Sequence, residues 1–140
     1  MGILFEACIA FDDDTPDGDP PFSHNPGIWI MREDYALSSC GEMGFFAALG
    51  YDPENRFTEP MVTLRGFPEF VAQASELRQW MGLEDYVGWL SAAELFSAIS
   101  HAAILESDLV RSVRVFLGAV RYLSSEFGEE RVRVIFTFLP

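Results

Sequence analysis

The chain contains no lysine, so nine arginines are its only strong cations. Against twenty-two carboxylates they leave a formal net charge of −13. A field of that sign repels nucleic-acid phosphates and anionic membranes and steers the molecule toward basic protein surfaces. Cysteine is equally scarce. Cys8 and Cys40 are too few for a disulfide framework or a zinc site and read as buried, reduced thiols. The two histidines, His24 and His101, leave little material for acid–base or metal chemistry. No apolar run approaches the roughly 18 residues of a membrane span, and Met1 to Phe11 lacks the cationic leader of a signal peptide. Gly2 does not complete a myristoylation motif, because Glu6 stands where Ser or Thr is required. A cytoplasmic protein is expected. Glycine-rich phosphate loops, HExxH, CxxC and nucleophile-elbow patterns are also missing, so no cofactor or catalytic constellation is expected.

What is present suffices for one domain over residues 1–140. Apolar residues make up 49% of the chain, and thirteen Phe, three Trp and four Tyr supply a core and exclude disorder. Ile3, Phe5, Ala7, Ile9 and Phe11 alternate with their neighbours as a strand with one apolar face. Residues 12–27 read as a surface loop, and 28–32 as a short second strand that makes a long-looped hairpin with the first. Met43, Phe45, Phe46 and Leu49 predict a short helix closed by Gly50. A second helix starts at Gly66-Phe67-Pro68-Glu69, with Phe67, Phe70, Val71, Ala74, Leu77 and Met81 on one face and Gly82 as its stop. Leu90-Ser91-Ala92-Ala93-Glu94-Leu95 is a capping box with a hydrophobic staple and predicts a third helix to about Leu105. A fourth runs from near Ser107 to before Gly128, with Leu109, Val110, Val113, Phe116, Leu117, Val120 and Leu123 inward. Val132, Val134, Phe136 and Phe138 share one face of a closing strand. Two terminal strands around helical sequence predict an α+β domain: a small, mainly antiparallel sheet covered by about four helices.

Three groups of residues invite chemistry. Asp12, Asp13, Asp14, Asp17 and Asp19 could contact a basic partner or chelate Ca²⁺ or Mg²⁺. Read as an EF-hand from Asp13, however, the loop puts His24 where a bidentate Glu belongs. A solvated acidic loop is expected, with partner contact as its functional reading. Glu94, Ser97 and His101 share a helical stripe, but the hydroxyl lies between the other two groups and Glu94 is about 10 Å of rise from His101, so no triad forms. Charge is polarised along the chain: residues 1–31 carry six acids and no base, residues 107–140 four acids and five arginines. Arg111, Arg114, Gly118 and Arg121 form one stripe of the fourth helix. It either pairs with acids such as Asp12–Asp19 or converges on a small anion or nucleotide above Gly118, and internal pairing is the favoured reading.

Several segments in order resemble a family of uncharacterised phage and prophage proteins that open Met-Gly-Cys-Asp-Ile-His. They are Met1-Gly2 before a strand, Gly44-Phe45-Phe46-Ala47-Ala48-Leu49, Arg65-Gly66-Phe67-Pro68, Trp89-Leu90-Ser91-Ala92-Ala93-Glu94-Leu95 and Val132-Arg133-Val134-Ile135-Phe136-Thr137-Phe138. Where that family carries Cys-Asp-His and His-Ser-His-Ser, this chain has Ile3-Leu4-Phe5 and Asp85-Tyr86-Val87-Gly88. The resemblance implies a divergent member that keeps the scaffold without those polar groups. The combined expectation is a non-enzymatic acidic protein that neutralises a basic protein target. It would be a phage or mobile-element inhibitor of a nucleic-acid-binding defence protein, or an immunity protein against a toxin. The alternatives are an anion or nucleotide binder using Arg111, Arg114 and Arg121, and a metal-dependent enzyme using the Asp12–Asp19 loop.

Overall fold

The computed structural model describes residues 3–12, 15–16, 18–19, 22, 27–29, 35–37, 43–51, 63–71 and 86–139. Its centre is formed by the two strands expected from the alternating ends of the chain, which the structure pairs with each other. Strand β1 (Ile3–Phe11) runs antiparallel to β5 (Val132–Leu139), from Leu4 opposite Leu139 to Phe11 opposite Val132. On the other edge of β1 two three-residue strands lie end to end: β2 (Gly27–Trp29) beside Ile9 to Phe11, and β3 (Tyr35–Leu37) beside Ile3 to Phe5. β4 (Val87–Ser91) pairs antiparallel with β5 and completes a five-stranded sheet of order β2-β1-β5-β4, with β3 off this path on β1.

Period two sorts the side chains of β1, β5 and β4 onto two faces. Ala7, Ile9, Leu90, Val132, Val134, Phe136 and Phe138 enter the main core. Helix α1 (Met43–Ala48) with Leu49 just after it, α2 (Ala92–His101) and α3 (Arg111–Phe127) supply its other half, including Phe45, Leu95, Val113, Phe116, Leu117 and Val120. Phe138 is stacked on Tyr51 at 4.6 Å and meets Phe46 edge-on at 5.2 Å, which fixes α1 on β5. The opposite face is covered as well: Cys8, Ala10, Val87 and Ile135 pack with Phe22, Phe67 and Val71 in a second cluster. Cys8 is fully buried there, and burial pushes its thiol up to about 12, so it is a packing residue and not a nucleophile.

The α+β class and the antiparallel sheet agree with the sequence, while the element boundaries differ. Three α-helices lie within the described residues. Of the helix expected from Phe67 to Met81, Pro68 to Val71 form a turn closed by Val71 N–H to the Pro68 carbonyl at 3.0 Å, and the remainder lies outside the described residues. Cys40, His24 and the second strand beyond Trp29 lie outside them too. Helix α2 stops at His101 and not Leu105. Ala103 takes φ 55° and the amides of Ala103 and Ile104 return to the Ser100 and Ile99 carbonyls at 3.1 and 3.2 Å, a Schellman stop made without glycine. Helix α3 starts at Arg111 because Glu106–Asp108 forms a separate 3₁₀ turn.

The start of α2 is as the sequence specifies. Ser91 Oγ accepts from the Glu94 amide, and Glu94 Oε1 accepts from the Ser91 amide, both at 3.1 Å. Replacing Ser91 with Ala removes an acceptor from a half-buried helix end, and thermal unfolding should show a loss of about 1 kcal/mol. A change below a few tenths would mean that Glu94 alone holds the cap.

Candidate functional site

The acidic loop does not have the uniform exposure expected of it. Asp12 is fully buried. Its Oδ1 accepts from the Thr15 amide at 3.2 Å and the Thr15 hydroxyl at 2.9 Å, and its Oδ2 from the Phe22 amide at 2.7 Å. Burial alone would raise this carboxyl. The Phe22 amide, the two Thr15 donors and the Arg131 guanidinium outweigh it and hold the group below the usual carboxylate range. Asp12 is thus withdrawn from any partner or metal: it is the post around which the loop folds back to seat Phe22 in the second cluster. Asp19 is exposed. Asp13, Asp14 and Asp17 lie outside the described residues.

The arginine stripe separates in the same way. Arg121 lies 4.6 Å over the Phe96 ring and pairs with Glu106, so it turns aside from Gly118. Internal pairing therefore holds for Arg121, but with Glu106 in place of the acidic loop. The cation at that loop is Arg131, whose Nη1 donates to the Thr15 carbonyl at 2.5 Å while its own carbonyl accepts from the Asp12 amide at 2.8 Å. Arg111 and Arg114 are exposed, and among the described residues neither side chain has an ion pair.

Between α2 and α3 runs a groove that sequence reasoning missed. One stretch, about 550 Å³, is lined by Phe96, Ile99, Ile104, Glu106, Arg121 and Glu129 among others, and a second shares Phe96, Ser100 and Glu129 and reaches Ser97 and His101. Phe96, Ile99 and Ile104 make the first stretch partly apolar, whereas the lining of the second is mixed. The hydroxyls of Ser124 and Ser125 are spent on the Val120 and Tyr122 carbonyls at 2.7 and 2.6 Å. Glu94, the carboxylate of the excluded triad, is held in an ion pair by Arg65 and serves the cap, so no carboxylate–imidazole–hydroxyl relay exists here. Among the described residues no group of three His, Cys, Asp or Glu could hold a metal ion. The Phe96 side chain was the available signal, since it extends the apolar face of α2 past Leu95 and Ile99 toward solvent.

The groove ends at a 3₁₀ turn, Glu129–Arg131, that joins α3 to β5. Glu129 and Glu130 are exposed on it. Glu129 lines the groove and Arg131 reaches the acidic loop, so the turn connects these two regions. Beyond it lies a clamp also missed in sequence: Arg133 sits over Phe22 at 4.3 Å and Trp89 at 4.5 Å, and Arg65 sits over Trp89 at 4.7 Å. Each guanidinium has its own carboxylate, Glu69 for Arg133 and Glu94 for Arg65. The clamp is neutral overall and fastens segment 63–71 to the sheet. The chain matches no family model, no curated protein and no solved structure.

Proposed function

We propose that this protein is a non-enzymatic acidic binder that neutralises a basic protein target in the cytoplasm. The observation that carries the reading is the junction at Glu129–Arg131, where a partly apolar groove opens beside two exposed carboxylates, Glu129 and Glu130. An arginine- or lysine-bearing segment fits such a junction, because an aliphatic stem can lie on Ile104, beside the Phe96 ring that Arg121 covers, while its charges meet Glu129 and Glu130. The net charge of −13 adds long-range steering toward that partner. The segments that resemble phage and prophage proteins support the version in which the target is a nucleic-acid-binding defence protein, and the same surface chemistry suits an immunity protein facing a basic toxin. The alternatives each lose a member: the nucleotide reading loses Arg121 to Glu106, and the metal-enzyme reading loses Asp12 to Thr15 and Phe22. Among the described residues no helix is long and apolar enough to cross a membrane.

Titration with an arginine-rich peptide should give binding whose association rate falls steeply between about 50 and 500 mM salt. Reversing Glu129 and Glu130 to Arg should weaken it about tenfold or more, with thermal stability retained. Salt-independent binding, or equal binding by the reversed variant, would sink the proposal.

A further inference from the structure

Arg121 sits in the groove as a bound arginine would. Its guanidinium lies 4.6 Å over the Phe96 ring and pairs with the Glu106 carboxylate, so an aromatic face and an anion take up one planar cation together. Neither half of this seat depends on Arg121. Phe96 belongs to α2 and packs against the main core. Glu106 stands on the 3₁₀ turn Glu106–Asp108, which is tied by the Asp108 amide to the Leu105 carbonyl at 2.9 Å and the Leu109 amide to the Glu106 carbonyl at 3.1 Å. Nor does the fold depend on the guanidinium. Of Arg65, Arg121 and Arg133, Arg121 has the most exposed side chain, 51% against 32% and 13%. Arg65 and Arg133 fasten segment 63–71 to the sheet, whereas α2 and α3 are already joined through the main core. An exposed pair such as Arg121–Glu106 holds two long side chains in one geometry for little net gain, so it opens readily.

We infer that the seat of Phe96 and Glu106 takes an arginine of the basic partner, and that Arg121 is its internal competitor, displaced to solvent when the partner binds. This rests on the proposed function and narrows the partner from basic proteins in general to those that present arginine. A guanidinium is flat, weakly hydrated and forked, and so matches the ring face and the carboxylate at once; the compact, strongly hydrated ammonium of lysine matches them less well. Room and charge agree with an incoming cation. The stretch of about 550 Å³ that contains the seat is also lined by Glu129, which is exposed and has no ion pair among the described residues. One partner arginine over Phe96 and a second cation at Glu129 would meet both carboxylates of that lining and offset the displaced Arg121. Arg114 stands two turns earlier on α3, about 10.5 Å of rise from Arg121, and lines neither stretch of the groove. Its charge opposes a basic partner on this side of α3 whether or not the seat is filled.

Peptides of about ten residues that alternate arginine with serine, or lysine with serine, are suitable probes for titration into the whole chain at about 0.15 M salt. The parent should bind the arginine peptide about threefold or more tighter than the lysine one. Arg121→Ala should tighten the arginine peptide about three- to fivefold by removing the competitor, and Arg121→Lys, which keeps the charge, about two- to threefold. Arg114→Ala removes an equal charge outside the groove and should change affinity by less than about 1.5-fold. Glu106→Gln in the Arg121→Ala background should weaken the arginine peptide about tenfold and abolish its advantage over lysine. Melting curves should show these variants folded. If neither the parent nor Arg121→Ala binds either peptide, the proposed function and this inference fall together. If the parent binds and the reversal of Glu129 and Glu130 weakens it, yet the Arg121 variants bind no tighter than Arg114→Ala or lysine serves as well as arginine, the inference alone is overturned.

Discussion

Replacing Asp12 with Ala is expected to lower the unfolding free energy by about 3–5 kcal/mol, because it strands the Phe22 amide and both Thr15 donors in a region closed to water. Asp12→Asn should fall between the two. It keeps the shape and one good acceptor oxygen but turns an NH₂ group toward a donor. The folded-state pKa of Asp12 is depressed, so its stabilisation is complete above the unfolded value of about 3.9 and is lost as pH falls through the lower folded value. The parent and the Ala variant should therefore differ most near neutral pH and converge in acid. Urea unfolding at pH 7 and at pH 3 tests this, and a difference below about 1 kcal/mol at pH 7 would show that water replaces the carboxylate. Amide exchange at Phe22 should speed up in the variant, since the second cluster then loses its anchor.

Phe136 should be as costly to truncate. It stands on β5, the strand between β1 and β4, with its side chain fully buried in the main core, and it meets Phe138 edge-on at 5.7 Å. Phe136→Ala should cost about 3–5 kcal/mol through lost burial and the cavity left behind. The opposite strand holds glycine for this ring: a Cβ at Gly88 would lie 2.7 Å from the Phe136 Cε2 and 2.9 Å from the Leu64 Cδ2. Gly88→Ala should therefore cost about 1–3 kcal/mol in the parent and much less in the Phe136→Ala background, where the space is vacant. Additive losses in that cycle would show that Gly88 is required for its backbone and not for the ring.

Sequence was a good guide where one physical signal acted alone. Period two in Ala7-Ile9 and Val132-Val134-Phe136-Phe138 found the two central strands, and Ser91 with Glu94 found the start of α2. It failed where two signals overlapped. β4 escaped because Gly88 occupies a core-facing slot, so Val87-Gly88-Trp89-Leu90 shows no alternation of apolar size, while Leu90 and Ser91 had already been assigned to the cap. The end of α2 escaped because Ala103 takes a conformation in which glycine is the usual marker. Asp12 was grouped with its acidic neighbours although strand parity tells otherwise: it follows Cys8 and Ala10 at steps of two, on a face that the sheet buries. Of the candidate site, the acidity was plain and the groove was not. A groove between helices depends on how two distant segments are set against each other, and Phe96 and Glu129 have no local pattern that links them.

The central strand pair also has a consequence for biosynthesis. Thr15, just past β1, is joined to Arg131, just before β5, across 116 positions of chain. At about 5–20 residues per second, β1 waits on the order of ten seconds after synthesis before its long neighbour exists. An unpaired apolar strand in that interval is a template for aggregation. Asp12-Asp13-Asp14 follows it directly, and residues 1–31 carry no positive side chain at all. The same acidic run that ends β1 in the native domain is thus expected to act, earlier, as a gatekeeper between nascent chains.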